Sequence, residues 1–241
     1  MTHSKSSILT YKTCPRKYKY QYIDKIRPTR VAKQLLEGNE KHDIFESTFK
    51  NVKLDKFNKS ELIDKVRSNP GYSKYSQDCE NFINKIVTVS DCLPEVCEFE
   101  VKDEELNFKG FIDVVFIDDK GNRLLLDYKT GKSDDLSKYR FELALYSYCY
   151  TKQTSKIINY WGIFFSHTGE LVLEKVNQKE IEKSLSELKN YVGKIEYNKR
   201  LGDTGFPRVV SGLCKWKDKT TGAMNMCDYY HICNPHKERL G

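Results

Sequence analysis

Asp113, Asp127 and Lys129 are the residues whose types and spacing could do chemistry. They lie in residues 110–132, GFIDVVFIDDKGNRLLLDYKTGK, with Asp113 in one apolar run and Asp127 and Lys129 at the end of the next. Both runs are rich in Ile, Val, Phe and Leu, and Asp118, Asp119, Lys120, Gly121 and Asn122 between them supply turn chemistry, so the segment reads as a hairpin. Its two carboxylates then lie on neighbouring strands. Asp127 and Lys129 are two apart and share a face, while Tyr128 points the other way. Two carboxylates so placed can hold Mg²⁺ or Mn²⁺ through oxygen and leave coordination positions for water and a phosphate. The lysine can orient or help deprotonate an attacking water, and can neutralise charge that develops on a phosphorane-like transition state. Taken singly, an Asp-x-Lys pair reads equally well as a solvated ion pair, and a lone helical His is more often surface or core than ligand. The order of the surrounding segments decides between these readings.

Residues 7–23, SILTYKTCPRKYKYQYI, form a basic and aromatic helix with a Cys-Pro step. Residues 38–46, GNEKHDIFE, carry Gly-x-x-x-His, residues 94–101, PEVCEFEV, carry Glu98 and Glu100, and residues 141–146, FELALY, follow the lysine. In this order, from residue 7 to residue 150, the chain resembles the PD-(D/E)XK nucleases, in particular the RecB-like and CRISPR-associated iron–sulfur exonuclease branch. The resemblance implies that His42, Asp113 and Asp127 hold a divalent metal, with the backbone carbonyl of Tyr128 as a further ligand. It implies that Glu98 or Glu100 assists, Glu98 being preferred; alternation places both on one face. Lys129 positions the nucleophile, and Tyr146 holds DNA or supports the lysine. Where the family carries Gln-x-x-x-Tyr, this chain has Glu142 in place of the glutamine.

Of eight cysteines, Cys214, Cys227 and Cys233 fall in the last 28 residues. Nothing resembles a signal peptide or the roughly eighteen apolar residues needed to span a bilayer. A cytoplasmic protein with reduced thiols is therefore expected, in a bacterial, archaeal or phage-infected cell, which leaves packing, metal binding or reactivity for the cysteines. Cys92, Cys97 and Cys149 neighbour apolar or aromatic residues and read as core; Cys79 reads either way. By the same resemblance, Cys14, Cys214, Cys227 and Cys233 are similar to the four thiolates of a 4Fe–4S cluster. The five residues between Cys227 and Cys233 fit the family's last interval, whereas twelve residues separate Cys214 from Cys227 where the family has two. Lys219, Thr220, Thr221 and Gly222 look like a turn that loops such an insertion out. Four sulfurs bind zinc as readily, and His231 and His236 keep zinc as the alternative. Such a metal would clip the first helix to the tail and act structurally.

The formal charge of +7, with 41 Lys and Arg against 34 Asp and Glu, and the sixteen tyrosines supply cations for phosphates and rings for bases. Many soluble proteins share this balance. The densest patch, residues 12–30, interleaves Lys12, Arg16, Lys17, Lys19, Lys25, Arg27 and Arg30 with Tyr11, Tyr18, Tyr20 and Tyr22. Its plain reading is a solvated amphipathic helix with tyrosines packed inward; its functional reading has Arg16 and Lys17 on phosphates and Tyr18 on a base.

Periodicity predicts helices over the first ninety residues, among them 60–68 and 77–88, then strands at 95–101, 107–117 and 123–129. A helix at 136–150 follows, then strands at 156–165 and 171–176 about a turn at His167, Thr168 and Gly169. A long helix at 177–197 carries Ile181, Leu185, Leu188, Val192 and Ile195 on one stripe. No Pro, Gly or Ser-rich linker divides the 241 residues, so the expected fold is one α/β nuclease domain. It would have a restriction-endonuclease-like core, a mixed sheet flanked by helices, a helical N-terminal part and a cysteine-rich, metal-clipped tail. No phosphate loop of an ATP motor is present. The leading expectation is a metal-dependent exonuclease that acts on single-stranded DNA or on ends with single strands, in recombination, replication or end processing, or with CRISPR-adaptation proteins. A non-catalytic DNA-binding subunit and a restriction-type endonuclease are the alternatives.

Overall fold

The computed structural model describes residues 2–28, 33–50, 52, 58–88, 92–131, 135–210, 214 and 227–233. Arg30, His236 and the expected turn at residues 219–222 lie outside them. In chain order the elements are α1 (Lys5–Thr13), α2 (Pro15–Tyr18), α3 (Lys33–Phe49), α4 (Lys59–Arg67) and α5 (Ser76–Phe82), then β1 (Leu93–Asp103), β2 (Phe108–Ile117) and β3 (Arg123–Lys129). There follow α6 (Arg140–Thr154), β4 (Tyr160–Phe165), β5 (Glu170–Lys175), α7 (Gln178–Arg200) and α8 (Tyr230–Cys233). The chain forms two compact units, one of Met1–Val31, Glu104–Phe108 and Ser186–Gly241, the other of Ala32–Asp103 and Lys109–Leu185. Each is assembled from separated stretches, which is why no linker in the sequence marks a border.

The larger unit is built on a five-stranded mixed sheet in the order β1-β2-β3-β4-β5. β2 and β3 are the antiparallel hairpin that the apolar runs predict, paired from Val114↔Leu126 to Ile117↔Arg123. Asp118 closes its turn by accepting the N–H groups of Lys120 and Asn122 at 3.0 and 2.7 Å, and Gly121 supplies a left-handed φ of +81°. β3 and β4 are parallel, so a crossover must join them, and α6 is that crossover. One tight turn at Leu136–Tyr139, capped by Asp135, precedes α6, and Ser155 in the left-handed region ends it. That ending delays β4 to Tyr160, four residues beyond the start that periodicity suggests.

α3, α4 and α5 bury one face against the sheet. Phe45 and Phe82 stack at 4.4 Å between ring centroids, and Tyr128 meets both edge-on at 5.6 Å. Phe49, Val114, Phe116, Leu126 and Phe164 complete the cluster, with Cys79 buried in it and Cys92 and Cys97 packed against it. Cys149 is fully buried. Packing thus accounts for these four thiols.

In the smaller unit a reciprocal Ser4–Ser7 capping box starts α1. Tyr11 and Tyr18 pack edge-on at 5.5 Å, and Tyr18 stacks on Phe206 at 6.2 Å. Leu188 and Ile195, in the part of α7 that belongs to this unit, are buried along the predicted stripe, as is Ile181 in the part that belongs to the larger one. No helix among the described residues is long and apolar enough to cross a membrane.

Candidate active site

α3 lies on the sheet through Phe45 and Phe49, and His42, three residues before Phe45, emerges on the same stripe at the rim of the core. Gly38, one turn earlier, makes the approach possible. A Cβ there would stand 3.0 Å from Thr130 Oγ1, just beyond the end of β3. His42 Nε2 accordingly reaches Asp113 Oδ2 at 3.1 Å.

The hairpin register runs only as far as Val114↔Leu126. Immediately beyond it, the Tyr128 N–H donates to Asp113 Oδ2 at 2.6 Å. The side chain takes a hydrogen bond that a strand backbone would otherwise accept, which fixes the carboxylate at the point where the strands part.

Glu98 completes a trio. Atoms of His42, Glu98 and Asp113 lie within 4.8 Å of one another, and among the described residues no other three His, Cys, Asp or Glu side chains do so. Glu98 sits in β1 with φ +48°. A left-handed residue inside a strand breaks the alternation, so Glu98 turns toward the site while Glu100 is exposed. The expectation that both share one face is corrected by this kink; Glu98, and not Glu100, lies with His42 and Asp113.

Asp127 and Lys129 end β3 side by side, 2.5 Å apart. Asp127 is 4% exposed. Lys129 Nζ also lies 3.4 Å from Glu142 Oε2 and 5.0 Å from the centre of the Tyr139 ring. Tyr146 is buried and donates its hydroxyl to Glu142 Oε1 at 3.3 Å. Glu142, the residue in place of the family's glutamine, thus lies between the Tyr146 hydroxyl and the Lys129 ammonium. The Tyr128 ring belongs to the aromatic core.

Charge is concentrated here, and protons are held accordingly. The hydrogen bond that His42 donates to Asp113 raises its pKa to about 9. Burial, with Asp113 and Glu46 nearby, raises Glu98 to about 7. Burial pushes the Asp127 carboxyl up against the opposing pull of Lys129. Burial alone would lower Lys129, but the charges of Asp127 and Glu142 carry it above the ordinary lysine value. These two anions favour the ammonium form of Lys129.

A brace that the sequence did not suggest holds the end of β4 beside this lysine. The Ser166 N–H donates to the Lys129 carbonyl at 3.0 Å. Ser166 Oγ donates to Asp78 Oδ1 at 2.6 Å, and Asn81 donates to the Ser166 carbonyl at 2.8 Å. Lys41, next to His42 in the chain, pairs with Asp78 at 2.9 Å. No motif marks these residues; only the i, i+3 spacing of Asp78 and Asn81 on one helix face could have pointed to them.

In the smaller unit, Cys14, Cys214, Cys227 and Cys233 line one pocket with Thr13, Lys17, Tyr20, Arg208 and Tyr229. All four are free thiols. Burial raises Cys227 and Cys233, while Lys17 and Arg208 respectively oppose the rise. The DNA roles expected nearby fare differently. Tyr18 is 0% exposed, which withdraws it from base stacking; its ring is core. Arg16 donates to the Asp203 carbonyl at 3.0 Å and Lys17 to Asp228 at 3.4 Å, so both cations face acidic neighbours within their own unit.

The family model of the PD-(D/E)XK nuclease superfamily matches residues 2–234. The chain belongs to the PD-(D/E)XK nuclease superfamily. Among solved structures, it is similar to a protein from Eubacterium rectale provisionally named an exonuclease, with a TM-score of 0.54 and 12% identity, over 88% of this chain and 85% of that one. At that identity the likeness is one of fold. No curated protein matches the chain.

The nuclease superfamily implies a divalent cation, and the residues fit one. Glu98 Oε1 is buried without a hydrogen-bond partner, a costly arrangement that a cation would relieve. The donors around it are carboxylate oxygens and one imidazole nitrogen, a set suited to Mg²⁺ or Mn²⁺.

Proposed function

We propose that this protein is a metal-dependent deoxyribonuclease that hydrolyses DNA phosphodiesters from single-stranded or resected ends, as an exonuclease of the RecB-like, iron–sulfur branch. The observation that carries the reading is the convergence of His42, Glu98 and Asp113 beside the buried Asp127–Lys129 pair. His42, Glu98, Asp113, Asp127 and the Tyr128 carbonyl would hold the cation. A bound Mg²⁺ or Mn²⁺ supplies Lewis-acid polarisation of the phosphate and a lowered pKa for water. Lys129, held as an ammonium, is a hydrogen-bond donor and a fixed positive charge; it orients the attacking water and offsets charge that grows on the phosphoryl oxygens. Low exposure at Asp113, Asp127 and Glu142 keeps these electrostatic contacts strong.

Cys14, Cys214, Cys227 and Cys233 present a soft, all-sulfur donor set in one pocket, which supports a 4Fe–4S cluster, with zinc as the alternative. Its role is structural, tying residues near the start of the chain to others about two hundred residues later. DNA with single-stranded ends is the substrate, and the setting is recombination, replication or end processing, or CRISPR adaptation with partner proteins.

The test is digestion of end-labelled linear single-stranded DNA with Mg²⁺ or Mn²⁺, run beside a closed circular strand and a Lys129→Ala variant. Loss of the linear strand alone, abolished by Lys129→Ala, is the expected result. Cutting of the circle would make the enzyme an endonuclease. Binding without cutting of either would make it a non-catalytic subunit. Metal analysis of Cys227→Ser, expected to lose iron together with thermal stability, tests the cluster.

A further inference from the structure

We propose that Glu142 is a positioning residue, the fixed counter-charge that retains the Lys129 ammonium in the site and leaves Asp127 free to hold a divalent cation. The inference rests on the metal-dependent reading above and adds to it a residue outside the metal's own ligand set.

Lys129 has two carboxylates and both are buried: Asp127 at 2.5 Å and Glu142 at 3.4 Å. One lysine cannot neutralise both. A cation that claims Asp127 takes away the nearer partner, and a buried ammonium left without an anion is costly. Glu142 is built to remain. It lies in the first turn of α6, where the helix dipole favours negative charge. Tyr146, four residues on and on the same face, fixes one of its oxygens. The Tyr146 ring is itself confined by β2, since a Cβ at Gly110 would stand 2.2 Å from its Cε1. The Tyr139 ring lies near the ammonium as well. A glutamine at position 142 could accept a hydrogen bond from Lys129 but would carry no charge, so Asp127 would remain the lysine's only anion among these and the cation would have to compete for it.

The test is Mn²⁺ binding without DNA, measured by calorimetry on the full chain, for wild type, Glu142→Gln, Lys129→Gln and the double variant. Glu142→Asp serves as the charge-retaining control, and thermal melts establish folding. Glu142→Gln is expected to weaken Mn²⁺ binding about 10- to 100-fold, the range for residues that orient ligands without being ligands. In the Lys129→Gln background, where Asp127 has no lysine to serve, the same change should have little effect, and Glu142→Asp should restore most of the affinity. An equal loss in both backgrounds would show Glu142 acting as a plain negative charge and overturn the proposal. So would a Glu142→Gln variant that binds like wild type. Wild type that binds Mn²⁺ and cuts DNA while Glu142→Gln is indifferent removes this inference alone; wild type that does neither removes the nuclease reading with it.

Discussion

Cation binding at this site should be coupled to proton release, and the coupling can be worked out group by group. His42 is held protonated up to about 9 by its hydrogen bond to Asp113, and an imidazolium has no lone pair to give a metal. Below pH 9, then, each unit of pH removes about a factor of ten from the apparent affinity, or about 1.4 kcal/mol. Between pH 9 and pH 7 the loss is about 100-fold from His42 alone. Burial raises Asp127 to about 8 and Glu98 to about 7, so a second proton must leave below about pH 8 and a third below neutrality, and the slope steepens at each step. The direction is fixed by the sign of the shifts. All three groups bind protons more tightly in the metal-free site than they would in water, so affinity climbs with pH and levels off above about 9. Titration calorimetry with Mn²⁺ at pH 6, 7, 8 and 9, under argon and in two buffers of different ionisation enthalpy, gives both the affinity and the number of protons released. His42→Gln should flatten the profile between pH 8 and 9 and make it shallower below, while it lowers the plateau. Wild-type affinity constant within twofold from pH 7 to 9 would refute the assignment of His42 as a ligand.

Gly110→Ala places a methyl group against the Tyr146 ring; DNA cleavage should fall at least tenfold with the melting temperature lowered by a few degrees, and a variant with wild-type turnover would show that Tyr146 is not held from β2. Glu95 is bound by Arg123 at 2.8 Å, and by Tyr150 and Lys156, and Arg123 first among them lowers it to about 2. Its stabilisation is present above the ordinary glutamate value of about 4.3 and is lost as pH falls toward 2, so urea melts should show Glu95→Gln weaker by about 2 to 3 kcal/mol at pH 7, with the gap closing in acid. A gap of the same size at pH 7 and pH 2.5 would contradict that account. Glu98→Gly relieves a left-handed glutamate and deletes a buried unpaired oxygen; the variant should be inactive yet more stable by about 1 kcal/mol, and a less stable variant would show the kink to be unstrained.

The strands of the sheet were legible because apolar runs bounded by turn residues leave little choice: residues 123–129 are predicted and observed as β3. α4 and the long α7 were legible through their stripes. Site residues with a fixed place relative to those elements, Asp113, Asp127 and Lys129, followed from the hairpin. Tyr18 did not, because an aromatic in a basic helix looks the same whether its ring faces DNA or Phe206; the choice is made by residues nearly two hundred positions away. The Lys41–Asp78–Ser166 brace was hidden for the same reason, each member being an ordinary polar residue until three elements meet.

Glu98 shows a different kind of limit. Period-two alternation assumes an unbroken strand, and on that assumption Glu98 and Glu100 are equivalent. One residue at φ +48° removes the equivalence. A left-handed glutamate costs about 1 to 2 kcal/mol in backbone energy, and no local sequence preference asks for it. What holds it is the strand on either side of it, fixed by Val101 in the core and by the Arg123–Glu95 pair. The distortion is thus set by long-range packing, and its effect is to deliver a carboxylate to His42 and Asp113. A sequence rule that detects well-formed strands is blind to such a position, because there the strand departs from regularity to build the site.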